Sequence, residues 1–377
     1  MTFHILESGY TPTRDKPLVL LLHGYPELAY SWRKVMPTLA DAGYYVVAPD
    51  QRGYGRTTGW ANEPYEQVDL RDYSTTNMVR DMVVLVHALG YQKVHCVIGH
   101  DFGAVAASMC ALMRPDMFTS CMTMSHPFKG APSAPFNTAH SNTTPSSSTT
   151  GISGRDIQSE LAALSPPRKH YQWYNSGPSA AAEWANPPQG MAAFLRGYFH
   201  TKSASYTGPD AAPHALASWS AASLAALPHY YIMPAGASMP EAIAGMMAGQ
   251  AGAAAAPWLG DDELAVYAGE WGRTGFQGAL NWYRAATAAG RARDALLVAG
   301  RGLDVPFAFV AGRADWGAFQ QPGALERLPE VCGRFMGVRW IDNAGHWPQQ
   351  ENPRQVCDEV LAFLRSVESG EGGRGKI

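Results

Sequence analysis

The sequence predicts an α/β fold, a mostly parallel β-sheet with helices on both faces, interrupted by an inserted helical cap. Three observations predict it. Short apolar runs alternate with helix-spaced segments over the first 130 residues, as in a parallel sheet covered on both faces. Aromatic-rich helical sequence then takes over to about residue 295. The strand–helix pattern returns near the end of the chain.

Residues 18–22 form a continuous apolar run ending in His23-Gly24, as a strand buried on both faces does. Residues 32–42 have helical spacing, and 44–48 form the next strand, ending at Pro49-Asp50. A helix at 75–89 stops at Gly90. The strand at 93–98 leads through Gly99-His100-Asp101-Phe102-Gly103 into a helix at 104–113, and a strand at 118–124 closes the first core part, 1–130. The cap, 131–295, shows no strand alternation. Its 141–150 stretch is almost entirely Ser and Thr and reads as a flexible insertion, and 242–257 is alanine-rich. The second core part, 296–368, has strands at 305–311 and 335–341 and a helix at 351–367; 369–377 is a Gly-rich polar tail.

Composition narrows the function. With 377 residues and 46% hydrophobic content the chain builds a large core. A net charge of −3 without a basic block argues against nucleic acid and anionic membranes as partners. The five cysteines are odd in number, lack CxxC spacing and mostly sit in apolar runs. They read as reduced, buried thiols in a cytoplasmic setting. The start MTFHILESGY has no signal-peptide character, and no run of 18 apolar residues forms a membrane span. The 12 histidines show no ligand spacing, and no phosphate-binding glycine motif is present, so no metal or other cofactor is expected.

The chemistry centres on Gly99-His100-Asp101-Phe102-Gly103, a G-x-nucleophile-x-G elbow with aspartate in the central place. Side chains at 99 and 103 would collide with neighbouring backbone, so the turn lifts Asp101 above the sheet at a helix N-terminus, where an anion is favoured. Asp315 follows one later strand and His346 the next, so both lie at strand C-termini, where open α/β sheets bind ligands. The order Asp101, Asp315, His346 is nucleophile, acid, histidine. Such a trio attacks carbon with Asp101 and activates water with His346, whose cation Asp315 orients and stabilises. The backbone N–H groups of Tyr25 and Phe102 are expected at the oxyanion, and the Tyr25–Pro26 peptide is a candidate for the cis form.

His23-Gly24-Tyr25-Pro26-Glu27, Asp50-Gln51-Arg52-Gly53-Tyr54-Gly55, Gly99-His100-Asp101-Phe102-Gly103-Ala104, Asn281-Trp282-Tyr283-Arg284 and Gly345-His346-Trp347 together resemble the epoxide hydrolase family of the α/β-hydrolase fold. The likeness runs over roughly residues 15–367, and the cap strings at 200–204 and 228–242 are most similar to a fungal epoxide-hydrolase-like subgroup. The resemblance implies a small apolar epoxide and water as substrates, and two cap tyrosines that protonate the epoxide oxygen. Tyr283 matches the second. The first falls within Pro228-His229-Tyr230-Tyr231, with Tyr231 favoured and Tyr230 the alternative. His23, Pro26, His100, Trp316 and Trp347 are expected against the substrate. Two features depart from the family: Phe102 stands where many relatives carry Trp, and the strand that usually precedes the one near residues 3–6 has no counterpart.

The nearest rival is a haloalkane dehalogenase with the same Asp nucleophile. That family places an indole donor after the nucleophile and Asn after His-Gly, whereas this chain has Phe102 and Tyr25. Haloacid-type dehalogenases usually carry Arg after the nucleophile. Asp101 argues against a serine esterase. A non-catalytic binding protein of the same fold would have lost a member of the trio, and none is missing.

Overall fold

A computed structural model describes residues 1–132, 156–250, 256–288 and 293–370. The Ser/Thr-rich stretch at 141–150, residues 251–255 of the alanine-rich run and the tail from 371 lie outside the described residues. In chain order the strands are β1 (Ile5–Ser8), β2 (Leu18–Leu22), β3 (Tyr45–Pro49), β4 (Cys96–His100), β5 (Cys121–Met124), β6 (Arg168–His170), β7 (Ile232–Pro234), β8 (Leu303–Gly312) and β9 (Cys332–Ile341). Seven form one sheet in the order β1-β3-β2-β4-β5-β8-β9. β1 runs antiparallel to β3, and every other pair in the sheet is parallel.

Strands β2 to β5 are buried along their whole length. Their alternating side chains feed two separate cores. Leu18, Leu20, Leu22, Val47 and Val97 pack with the helices Thr75–Ala88 and Phe102–Met113. Val19, Leu21, Val46, Ala48 and Ile98 pack with Val356, Val360, Phe363 and Leu364 of the helix Pro353–Glu368, residues one or two turns apart on one face. All five cysteines are free and buried. Among the described residues no helix is long and apolar enough to cross a membrane.

Prolines explain two differences from the expected elements. The helix expected over 32–42 is a 3-10 turn at Ala29–Trp32 followed by a short helix at Met36–Asp41. The helix expected from 351 is two pieces, Pro348–Glu351 and Pro353–Glu368. Pro37 and Pro353 each fit only the first turn of a helix and stop one from running through. The cap also differs, because it is not wholly helical. β6 and β7 pair antiparallel over three residues each, too short to show alternation.

The cap sits on the C-terminal ends of the strands. Trp184, Trp271 and Phe276 pack edge-on around the ring of Tyr25, so cap and core share one apolar cluster. A polar brace joins them where β9 ends. The Lys202 carbonyl accepts from His346 N at 2.8 Å. Glu351 accepts from Ala204 N at 2.8 Å with one carboxylate oxygen, and from Gly345 N and Trp347 N at 3.0 Å each with the other. A Cβ on Gly345 would enter the Lys202 carbonyl, so only glycine lets the two loops meet.

Burial raises the Glu351 carboxyl to about 7, against the pull of these three backbone donors. A carboxyl with a raised folded pKa binds more protons in the native state than in the unfolded state between pH 4.5 and about 7. Its contribution to stability therefore falls as pH rises through that window. The melting temperature of the protein relative to Glu351→Gln is expected to drop as pH rises from 4.5 to about 7. A difference that stays flat in thermal denaturation would show that this carboxyl does not titrate in the brace.

Candidate active site

Asp101 links β4 to the helix Phe102–Met113 at φ 53° and ψ −116°. A non-glycine residue in this region costs about 1–3 kcal/mol and persists only where its surroundings enforce it. Here the glycines enforce it. A Cβ on Gly99 would enter the Gly103 carbonyl, one on Gly103 the Leu22 carbonyl, and one on Gly24 the side chain of Asp101 itself. The carboxylate is thereby raised over the sheet. One oxygen accepts from Tyr25 N at 3.0 Å, and the other lies 3.6 Å from His346 Nε2. Burial pushes the Asp101 pKa upward, but the nearby His346 imidazole, with His100 and Lys202, holds it well below the usual carboxylate range.

His346 follows β9 and Asp315 follows β8. His346 Nδ1 lies 2.9 Å from an Asp315 carboxylate oxygen, which also accepts from Gly317 N at 2.6 Å. With Nδ1–H directed at Asp315, Nε2 is the nitrogen that faces Asp101. Burial lowers the imidazole pKa and Lys202 adds to that, but Asp315 and Asp101 outweigh both and the net shift is upward. Burial raises Asp315, and the imidazole charge and hydrogen bond bring it below its ordinary value.

The five residues expected against the substrate are buried, and their polar atoms are engaged inside the protein. His23 Nδ1 pairs with the Gly24 carbonyl at 2.9 Å and Nε2 accepts from Gln51 N at 3.1 Å. His100 Nε2 donates to the His346 carbonyl at 2.6 Å, and Nδ1 lies 2.6 Å from Glu27. The other oxygen of Glu27 accepts from Gln349 and Gln350 at 2.9 and 2.8 Å. Tyr25–Pro26 is cis, and the Pro26 carbonyl accepts from the Trp271 indole at 2.9 Å. The indoles of Trp347 and Trp316 donate to the carbonyls of Phe199 and Asp210 at 2.9 and 2.6 Å. Position at a strand end suggested proximity to the site, but did not reveal which side chains turn into the protein.

Above Asp101 stands a wall of tyrosines. The Tyr283 ring, on the helix Gln277–Thr287, lies 4.6 Å from Phe102, 5.4 Å from Tyr25 and 5.8 Å from Tyr171. Tyr171 is a residue the sequence reading missed. It begins the helix after β6, its N–H donates to the Tyr231 carbonyl at 2.8 Å, and its ring lies 5.0 Å from that of Tyr231. Neither Tyr230 nor Tyr231 makes a ring contact with Tyr283 among the described residues. Asp101 is the leading charge acting on Tyr171, whereas Asp315 leads on Tyr230 and Tyr231. Burial raises the phenols of Tyr171 and Tyr283, so both stay protonated, and the Tyr171 O–H donates to Gln320 Oε1 at 3.2 Å. In the sequence Tyr171 is one aromatic among several at 170–174, and only the β6–β7 pairing singles it out.

Phe102 packs on Trp282 and Tyr283 at 5.7 and 4.6 Å and offers no donor. The Trp282 indole is spent on the Arg52 carbonyl at 2.8 Å. Beside Phe102 lies an apolar cavity of about 190 Å³, lined by Tyr73, Met78, Val105, Trp282 and Ala285 among others.

Comparison with known proteins agrees with this geometry. The family described as alpha/beta hydrolase fold matches residues 17–145. The chain is 32% identical to Epoxide hydrolase B of Mycobacterium tuberculosis over 359 residues, 94% of this chain and 92% of that protein. It is 28% identical to an Epoxide hydrolase of Caballeronia sordidicola over 371 residues, 98% of this chain and 92% of the other. Among solved structures it is similar to Epoxide Hydrolase A from Mycobacterium thermoresistibile, with a TM-score of 0.69, 32% identity and coverage of 96% and 94%. An epoxide hydrolase from an endophytic Streptomyces gives a TM-score of 0.75 at 27% identity, covering 97% and 93%. With a buried carboxylate on the elbow, a histidine and an acid at successive strand ends and relatives matched over nearly their whole length, the chain belongs to the epoxide hydrolase family of the α/β-hydrolase fold.

Proposed function

We infer that this protein opens epoxides to vicinal diols through an alkyl ester on Asp101. One observation carries the reading: the ionised carboxylate on the elbow has a backbone donor at 3.0 Å on one oxygen and His346 Nε2 at 3.6 Å from the other, beneath two protonated tyrosines.

In the first step an Asp101 oxygen attacks a ring carbon, and the C–O bond of the oxirane breaks. The electron pair stays on oxygen, which takes a proton from Tyr171 or Tyr283. An alkoxide is a poor leaving group, and two buried phenols lower the barrier by donating to it as charge develops. In the second step His346 takes a proton from water, and the hydroxide attacks the ester carbonyl. The oxyanion sits at Tyr25 N–H. Asp315 holds the imidazolium. Collapse breaks the ester C–O bond, and the departing oxygen takes the proton from His346 to complete the diol. The remaining water proton passes from the Asp101 carboxyl to the tyrosinate, which restores carboxylate and phenol. Phe102 gives this pocket no halide donor, which favours epoxides over haloalkanes. In this reading Tyr171, rather than the Tyr231 or Tyr230 that the resemblance implies, is the first acid, because it is the tyrosine packed on Tyr283.

Purified protein offered an aryl epoxide, a haloalkane and an activated acyl ester is expected to give diol from the first only; halide release would move the reading to dehalogenation. Asp101→Ala is expected to abolish turnover. His346→Ala should still alkylate, so intact-mass measurement finds the protein heavier by one substrate; full turnover by that variant would overturn the mechanism. Tyr171→Phe and Tyr283→Phe should each slow ester formation by on the order of 10²-fold in rapid-quench measurements, and Tyr231→Phe by clearly less. The reverse order would restore Tyr231 as the acid.

A further inference from the structure

Lys202 has no part in the steps above, yet it is the only lysine buried among the described residues, with 4% of its surface exposed. It caps the helix Met191–Thr201, and its carbonyl is tied to the His346 loop. Its ammonium lies 4.8 Å from the ring centre of Tyr198, 5.0 Å from Tyr230, 4.7 Å from Tyr231 and 5.7 Å from Trp347. No carboxylate forms an ion pair with it among the described residues, and no protein acceptor bonds its three N–H donors there.

Burying a cation without a counter-ion is unfavourable. Four π faces offset part of this, but rings do not satisfy ammonium donors. Burial lowers Lys202 to about 8, with Asp101, Asp315 and Glu27 opposing, so the charged form still dominates at neutral pH. The cage also belongs to the reacting space. The Tyr231 ring contacts both the ammonium and, tilted at 54°, the ring of Tyr171, so Lys202 is one ring removed from the tyrosine placed on the epoxide oxygen. Trp347, on the far side of the cage, faces His346 at 4.7 Å.

We propose that Lys202 and its aromatic cage form an anion subsite of the active site, selecting epoxides that carry a carboxylate a short distance from the oxirane. This rests on the epoxide hydrolase reading and narrows it. The caged ammonium gives the carboxylate the donors that the protein leaves free, and it offsets repulsion between the incoming anion and Asp101. The aromatic rings pack against the intervening hydrocarbon.

The test compares 3-phenylglycidate with its methyl ester, which differ in charge and little in shape. In the wild-type protein kcat/KM for the acid is expected to exceed that for the ester by about 10- to 100-fold, chiefly through KM, the range of one hydrogen-bonded charge pair. In Lys202→Met the acid-to-ester ratio should collapse to near one, and in Lys202→Arg most of it should survive. A wild-type ratio at or below one, or a ratio unchanged in Lys202→Met, overturns the subsite. Should neither epoxide be turned over, the epoxide hydrolase reading fails by itself, and calorimetric binding of 3-phenylpropionate against its amide still decides the subsite. Wild-type preference for the acid, lost in Lys202→Met, supports it; equal binding of acid and amide refutes it.

Discussion

A buried carboxylate that must stay charged without being permanently neutralised constrains the architecture above the sheet. An aspartate in a tight ion pair would be a poor nucleophile, and one left alone in an apolar pocket would take up a proton. Asp101 is held between these limits. A helix N-terminus lies behind it and a backbone N–H touches one oxygen. His346 stands at 3.6 Å, beyond a full hydrogen bond. The strained backbone at Asp101 is part of the same arrangement. Gly24, Gly99 and Gly103 have no side chains because the carboxylate and its supporting turns occupy that space.

His346 works only if its loop is fixed in height and rotation, and the surrounding polar network does this. Its ring is tied to Asp315. Its carbonyl accepts from His100, and its N–H donates to the cap through the Lys202 carbonyl. His100 in turn leans on Glu27, which belongs to the loop that supplies the Tyr25 donor. The two histidines of the motifs around β2 and β4 thus tie the loops that carry the site to one another. Both are buried with each ring nitrogen committed, and that commitment couples the oxyanion loop to the base.

The sheet, the elbow and the order of the trio were legible in the sequence because each rests on local pattern. A buried parallel strand is a run of five apolar residues, and a nucleophile elbow is a glycine spacing. Helix boundaries at 36 and 353 differ from the sequence reading, because the apolar periodicity runs on across the prolines that dictate them. The cap was less legible. Its placement of side chains depends on a ribbon of three residues per strand, which brings together Tyr171 and Tyr231 from segments 60 residues apart in the chain. Local sequence around Tyr230 and Tyr231 carried a family likeness but held no information about which phenol reaches Tyr283.

The division of labour between core and cap follows from the same physics. Every group that forms or breaks a bond to Asp101 comes from strand ends of one continuous sheet, where hydrogen-bonded neighbours fix position tightly. In the proposed mechanism the groups that stabilise charge on the departing oxygen come from the cap, and they are neutral phenols whose pKa burial raises. A neutral donor costs little to bury and is strongest where water is excluded. Lys202 is the exception, a cap residue that carries full charge into this space, and its aromatic cage reads as the structural cost of keeping it there. The covalent chemistry is therefore set by the sheet. On the proposed reading the cap sets which epoxide reaches it, and changes in its loops around 202–204 and 230–231 alter specificity while the trio below stays in register.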